Sequence, residues 1–148
     1  MNVILEPVDE SNWLACAELR LADGQAHFMP SNLFSIAQSK FFPHWHVVGI
    51  YDRDMLVGFA MYGLDLTDNS INLIRLMIDA QHQGKGYGKA ALAAILAAIS
   101  QQYGSQPIWL SISPRNTAAK RLYKGFGFTI EQTGLETDDE IFLCLKPA

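Results

Sequence analysis

Hydrophobic and polar positions along the first half of the chain predict mainly β-strands. The apolar runs HVVGIYD and MLVGFAMYG flank a short polar turn at residues 52–54, which indicates a β-hairpin. Residues 3–5 predict a strand before the hairpin, and INLIRLMID predicts a fourth strand after it. The fourth strand leads directly into a glycine-rich loop, QGKGYGK, at residues 83–89.

Apolar residues at helical spacing predict four helices. The first contains Trp13 and Leu21 and has Ser11 as its hydroxyl cap, and the others cover about 31–41, 87–103 and 116–124. The third carries an apolar stripe formed by Leu92, Ile95, Leu96 and Ile99.

The second half of the chain adds three predicted strands, PIWLSIS, FGFTI and EIFLCLK. Helices that alternate with strands, together with antiparallel pairs at both ends, predict a mixed α/β protein with one single-layer sheet. The chain has 148 residues without a visible linker or repeat, so residues 1–148 are expected to form a single domain.

Composition narrows the class of protein. A hydrophobic fraction of 49% indicates a globular chain, and a net charge of -4 argues against nonspecific nucleic-acid binding. No apolar segment approaches the roughly 18 residues of a membrane span, and the N-terminus lacks a basic signal-peptide flank, so a cytoplasmic protein is expected. Cys16 and Cys144 lack metal-type spacing and are expected to be reduced core thiols.

The charges are separated along the chain. Residues 80–130 contain six Lys or Arg residues and no Asp or Glu, whereas the remainder has five basic and fifteen acidic residues, a net charge of -10. Because the basic segment includes the glycine-rich loop, the pattern indicates an anion site there and leaves the acidic remainder to attract a cation.

Two familiar phosphate-binding loops do not fit this segment. A Walker A loop needs a glycine where Gln83 stands and a hydroxyl where Ala90 stands. A Rossmann fingerprint matches nominally from Gly86 to Ala91, but no acid to bind a ribose occurs before Glu131. The mechanism by which all such loops bind phosphate still applies to this one. Glycines let backbone N–H groups converge at the positive end of a helix, and such a site suits a pyrophosphate.

Two motifs resemble one family. Residues 83–88, QGKGYG, resemble the Q/R-x-x-G-x-G/A acetyl-coenzyme A loop of the GNAT N-acetyltransferases, and residues 116–128, NTAAKRLYKGFGF, resemble the family's N-x-x-A-x-x-L-Y-x-x-x-G-F signature. The resemblance covers about residues 3–145. Within the family, the sequence most resembles the bacterial diamine and polyamine (spermine/spermidine) acetyltransferases.

The resemblance implies a fold and a cofactor. The fold is α/β (α+β), a GNAT-like, mixed, mostly antiparallel twisted sheet of about seven strands flanked by about four helices. Strands four and five would run parallel and splay apart around coenzyme A. The loop amides would hold the pyrophosphate, strand residues 76–78 would pair with the pantetheine arm, and Asn116 would hydrogen-bond the pantetheine or acetyl region. The implied cofactor-binding residues are Leu76, Met77, Ile78, Gln83, Gly84, Lys85, Gly86, Tyr87, Gly88, Lys89, Asn116, Lys120 and Lys124.

Tyr123 is the catalytic residue that the resemblance implies. A phenol with a pKa of about 10 can protonate the thiolate that leaves when an amine attacks the thioester. Some family members carry a glutamate base on the strand before the loop, and Asn72, which cannot ionise, occupies that position here. The sequence therefore does not identify the general base. The candidates are a water chain, Glu140, Asp79, His82 and Asp65.

The expected function is acetyl transfer from acetyl-CoA to a primary amine, with a polyamine or diamine as the leading acceptor. The acidic loop residues Asp65, Asp68, Asp138, Asp139 and Glu140 would suit a polycation. An amino acid, a peptide N-terminus, a drug amine, or a noncatalytic acyl-CoA-binding module stay open as alternatives. No metal is expected, because His27, His44 and His46 lack metal-ligand spacing, and a homodimer is an expectation by resemblance alone.

Overall fold

The computed structural model describes residues 1–25 and 28–147, which contain seven strands in one sheet. The strands are β1 (Val3–Pro7), β2 (Trp45–Asp52), β3 (Met55–Asp65), β4 (Ser70–Ile78), β5 (Ile108–Ile112), β6 (Thr129–Glu131) and β7 (Ile141–Leu145). Their order is β1-β2-β3-β4-β5-β7-β6, and all neighbours are antiparallel except β4 and β5. This confirms the predicted mixed, mostly antiparallel sheet.

Four α-helices accompany the sheet in the described part of the chain. They are α1 (Trp13–Glu18), α2 (Asn32–Ser39), α3 (Tyr87–Tyr103) and α4 (Thr117–Gly125). The bounds of α3 are those that its apolar spacing predicts. Across the described ranges, none of the helices is long and apolar enough to cross a bilayer.

The parallel pair of strands separates after its first residues. β4 and β5 pair only at Ile71 with Ile108 and at Asn72 with Trp109. β4 then continues to Ile78 while β5 diverges from it, so the sheet opens on that side. Along the rest of β4, the backbone does not pair with β5, which leaves this edge of the strand open to an extended ligand.

Apolar side chains pack on both faces of the sheet. Ile95 and Ile99 of α3 are at most 1% exposed and pack on one face. On the other face Cys16 of α1 packs with Met77 of β4. Burial is the main reason why the pKa of the Cys16 thiol rises to about 11, and Cys144 is likewise a buried free thiol, which confirms the prediction for both cysteines.

The prediction for the first helix is wrong at both ends. The Ser11 hydroxyl does not cap α1 but donates to Asp9 Oδ1 at 2.6 Å. The helix ends at Glu18, so Leu21 lies outside it. Asp and Ser residues readily form such local turns, which compete with a helix cap.

Two other predicted elements are shorter than expected. Ser31 does cap α2 by accepting from the backbone N–H of Phe34 at 3.1 Å, but the helix ends at Ser39. The strand predicted from residue 126 begins only at Thr129. Gly127, at a φ of 98°, ends the turn that follows α4 and delays the strand.

Candidate active site

The glycine-rich loop takes a backbone conformation that favours glycine. Gly84 and Gly86 have φ angles of 75° and 90°, in the left-handed region. Gly86 is also the N-cap of α3, and no side chain caps this end of the helix. The first N–H groups of α3 therefore point out of its positive end without a side-chain acceptor, which is the arrangement that stabilises an anion.

Two side chains anchor this loop. Gln83 Nε2 donates to the Ile78 carbonyl at 2.9 Å and to Gln25 Oε1 at 3.0 Å. The Tyr87 hydroxyl donates to Asp52 Oδ2 at 2.6 Å, and this bond is the main cause that lowers the pKa of the Asp52 carboxyl. The loop is thus held to the end of β4 and to the β2–β3 turn.

Three adjoining cavities follow the split between β4 and β5. The first, which we call the cofactor cleft, has a volume of about 240 Å³ and lies beside the loop and α4. The second, the passage, has about 70 Å³ and shares Tyr123 with the cleft. The third, the acceptor cavity, has about 190 Å³ and shares Ser111 with the passage. Neighbouring cavities share lining residues, so the three form a row from the loop to the opposite side of the split, which we call the route.

Most of the predicted cofactor residues line the cleft. They are Leu76, Met77, Ile78, Gln83, Gly84, Gly86, Tyr87, Gly88 and Asn116. The predicted lysines do not line it, and Lys85, Lys89 and Lys124 are exposed while Lys120 is half-buried. Lys85 Nζ donates to the Gln81 carbonyl at 3.3 Å. If these lysines contact a bound anion, they therefore do so from the rim of the cleft and not from its wall.

Tyr123 on α4 lies where the cleft meets the passage. It is 6% exposed, and its ring packs edge-on against Phe128 with the centroids 5.5 Å apart. Burial raises the pKa of Tyr123 well above its usual value, so the phenol keeps its proton at neutral pH. Among the residues that the structure describes, none hydrogen-bonds its hydroxyl, which leaves this group to a ligand.

Asn116 positions the helix that carries Tyr123. Its Oδ1 accepts from the backbone N–H of Ala119 at 3.1 Å and so caps α4. The cap does not use the side-chain NH2 group of Asn116, and Asn116 lines both the cleft and the passage. One side chain can thus stabilise the helix and still donate to a ligand.

The acceptor cavity is lined by residues of β2, β4, β5 and β7 and by Asp65 at the end of β3. Its lining is Trp45, Asp65, Asn72, Leu73, Ile74, Arg75, Leu110, Ser111 and Phe142. Four consecutive residues of β4, from Asn72 to Arg75, line this cavity, because this part of β4 lies at the edge of the split. The β3–β4 register shifts in the same segment, between Met61 and Tyr62.

Trp45, Arg75 and Phe142 were not among the predicted site residues. Each lies within an apolar strand pattern, and no local motif marks it as part of a site. The only signal in the sequence is a single charged residue, Arg75, in the mainly apolar run INLIRLMI. The structure, which brings the strands together, is what identifies these side chains.

The candidate bases divide between the two ends of the route. Asp65 lines the acceptor cavity, and Glu140 accepts from the Ser111 hydroxyl at 2.9 Å beside it. Asp79 instead accepts from the backbone N–H of Arg20 at 2.9 Å, and His82 lines the cofactor cleft. Asp65 and Glu140 are therefore the carboxylates on the acceptor side.

The other histidines lie away from the route. His46 packs against Tyr62 with the ring centroids 5.2 Å apart, and His44 is exposed. His27 lies outside the described residues. Within residues 1–25 and 28–147, no group of three or more His, Cys, Asp or Glu side chains is arranged to hold a metal ion.

A split sheet with a glycine loop at one end and a buried tyrosine in the opening defines a class of enzyme. The model of the acetyltransferase (GNAT) family matches residues 13–128, and the chain belongs to this family of N-acetyltransferases. The activity is therefore acetyl transfer, and the GNAT fold uses acetyl-CoA as the donor.

Known relatives include enzymes with different acceptors. The chain is 34% identical over 134 residues to the spermine/spermidine N(1)-acetyltransferase of Bacillus subtilis, which covers 86% of this chain and 88% of that protein. It is 31% identical over 77 residues to a ribosomal protein bS18-alanine N-acetyltransferase of Haemophilus ducreyi, covering 52% and 51%. The crystal structure of spermidine N-acetyltransferase from Vibrio cholerae in complex with CoA and spermine superposes with a TM-score of 0.73 at 15% identity, covering 97% and 93%.

Proposed function

We propose that this chain transfers the acetyl group of acetyl-CoA to a small primary amine, with a diamine or polyamine such as spermidine or spermine as the acceptor. The observation that carries the proposal is the row of adjoining cavities from an anion-type loop, past Tyr123, to a cavity lined by Asp65. The polyamine acceptor is supported by the 34% identity to a spermine/spermidine acetyltransferase.

The cofactor cleft fits coenzyme A chemically. Backbone N–H groups of residues 84–89 and the positive end of α3 would hold the pyrophosphate. The open edge of β4 at residues 76–78 would pair with the amides of the pantetheine arm. The Asn116 NH2 group would donate near the acetyl end, and the rim lysines Lys85, Lys89, Lys120 and Lys124 would add positive charge around the phosphates.

Acetyl-CoA supplies a thioester, whose C–S bond breaks as the C–N bond to the amine forms. Tyr123 hydrogen-bonds the sulfur as negative charge develops and gives it a proton. The nitrogen becomes positively charged as the C–N bond forms and releases one N–H proton to water, and water returns a proton to Tyr123, so the products are the neutral amide and the CoA thiol. The amine must first lose a proton, because an alkylammonium of pKa about 10.4 has no lone pair to attack with. Asp65 or Glu140 accepts that proton directly or through water, since Asn72 cannot.

The acceptor cavity suits a small amine. Its volume of about 190 Å³ lies below the roughly 300 Å³ at which pockets for drug-sized ligands begin. The Asp65 carboxylate and the rings of Trp45 and Phe142 are the groups that attract a cation, the first by charge and the others by their ring faces. A distal ammonium of a diamine would bind there while the reacting nitrogen points toward the passage.

The test is CoA release from acetyl-CoA with spermidine, spermine, putrescine, amino acids, and a peptide with an N-terminal alanine. We expect turnover with the diamines and polyamines. If acetyl-CoA binds but no amine releases CoA above background, the chain is a noncatalytic binding module and the proposal is wrong. Preferential acetylation of the peptide would refute the polyamine acceptor and favour a protein N-terminus, the class suggested by the bS18-alanine relative.

A further inference from the structure

Arg75 places a positive charge in the wall of the acceptor side of the route. It lies on β4, opposite Met61 of β3, at the position where the register shift begins. It lines the passage and the acceptor cavity but not the cofactor cleft. Its charge is therefore directed to the acceptor and not to the phosphates of coenzyme A.

The hydrogen bonds of Arg75 leave its charge uncompensated. One terminal nitrogen donates to the Ile74 carbonyl at 3.0 Å and the other to Gln38 Oε1 at 3.2 Å, both neutral acceptors. Its Nε–H is buried and has no partner in the described structure. A guanidinium has five N–H donors, so three of them are unused. None of the ion pairs within the described residues includes Arg75.

A half-buried cation without an anion is costly, and burial accordingly lowers the pKa of the Arg75 guanidinium. Asp65 lines the same cavity but forms no ion pair with Arg75 within the described residues, and its Oδ1 instead accepts from the backbone N–H and the hydroxyl of Thr67 at 2.9 and 2.7 Å. The cavity thus presents two separate and opposite charges. Arg75 is suited to a carboxylate, and Asp65 is suited to an ammonium.

We propose that the acceptor cavity contains a carboxylate subsite at Arg75, so that the preferred acceptor is an aliphatic diamine that carries a carboxylate, a diamino acid. This inference rests on the proposed acetyl transfer to an amine, and it replaces the simple diamine or polyamine by a diamine that also carries a carboxylate. Arg75 would bind the carboxylate and Asp65 the ammonium that does not react. The second amine, deprotonated, would reach the thioester through the passage. A simple diamine lacks the group that Arg75 needs, and so binds beside an uncompensated cation.

Two matched pairs of substrates test the subsite, since lysine differs from cadaverine, and ornithine from putrescine, by the carboxylate alone. We expect kcat/KM of the wild-type enzyme to be about tenfold or more higher for the diamino acid in each pair, the size of a hydrogen-bonded ionic contact. Arg75→Gln should abolish this preference by lowering kcat/KM for the diamino acids and not for the diamines. Arg20→Gln is the matched control, because Arg20 is exposed and lines none of the three cavities.

Equal or better turnover of the diamines by the wild-type enzyme would overturn the carboxylate subsite while leaving the proposed function intact. A loss in Arg75→Gln that is the same for both members of a pair would also overturn it, since a structural role for Arg75 predicts that result. If no amine releases CoA, the proposed function is wrong. Calorimetry of lysine and cadaverine binding to the wild-type CoA complex then decides the subsite independently, and tighter binding of lysine supports it.

Discussion

Replacing Tyr123 by Phe removes one oxygen from the centre of the route. The ring can keep its edge-on contact with Phe128, at 5.5 Å between centroids, and no described residue loses a hydrogen bond. Removal of a hydroxyl without a protein partner is close to neutral for folding, so we expect the free energy of unfolding to change by less than about 1 kcal/mol. Any larger effect on activity then reports on the reaction.

The expected loss follows from the chemistry of the leaving group. General acids contribute about 10² to 10⁴ in rate. A thiolate with a conjugate pKa near 8.5 leaves readily, and the raised pKa of the buried Tyr123 makes its proton harder to give. Both facts favour the lower end of the range. We therefore expect kcat to fall about 100-fold in Tyr123→Phe, or about 2.7 kcal/mol of transition-state stabilisation.

The assay is CoA release at saturating amine from about pH 6 to 9, together with calorimetric CoA affinity. Because its pKa is raised, Tyr123 stays protonated throughout this range and should add no falling limb to the kcat profile. Tyr87→Phe is the control: it breaks the bond to Asp52 that anchors the loop, and should raise KM for acetyl-CoA with little change in kcat. A kcat of Tyr123→Phe within threefold of wild type would refute the assigned role, as would a proportional loss of CoA affinity.

Two further substitutions test the loop and the helix cap. Gly86→Ala forces alanine to a φ of 90°, so we expect the free energy of unfolding by denaturant to fall by about 1–2 kcal/mol and KM for acetyl-CoA to rise. The control is Gly125→Ala, at a position with open space around it. Equal losses of stability in the two variants would contradict the explanation. Asn116→Ala removes the α4 cap and should cost about 1 kcal/mol in the free energy of unfolding, whereas Asn116→Asp keeps the cap, replaces the NH2 donor and adds a negative charge. Equally unstable variants would be inconsistent with a capping role.

The cofactor half of the site could be predicted from the sequence because its determinants are local. The loop needs glycine at particular backbone angles, and Gly84 and Gly86 take them. α3 follows the loop directly and has the predicted bounds. The segment from Asn116 to Tyr123 forms one capped helix, which brings these two motif residues to the same cavity. Neighbours in sequence thus become neighbours in the site.

In the acceptor half, Asp65 and Asn72 were named from the sequence, but the other residues could not be predicted in this way. Its charged residues, Asp65 and Arg75, come from different strands, and its aromatic residues, Trp45 and Phe142, are 97 positions apart. None of them belongs to a motif. Residues 72–75 line the cavity because this part of β4 borders the split, and no local pattern shows where β4 and β5 separate.

The sequence by itself determined the family, the anion-type loop and the tyrosine, since these depend on residue identity at fixed short spacing. The tertiary structure alone decided where β4 and β5 part, because strand pairing beyond Asn72 depends on how distant segments pack and not on local propensity. It also decided that Arg75 lies beside the acceptor cavity without an anion. Whether a charge has a partner depends on which residues are close in three dimensions, and for that reason the proposed chemical class of the acceptor follows from the tertiary structure.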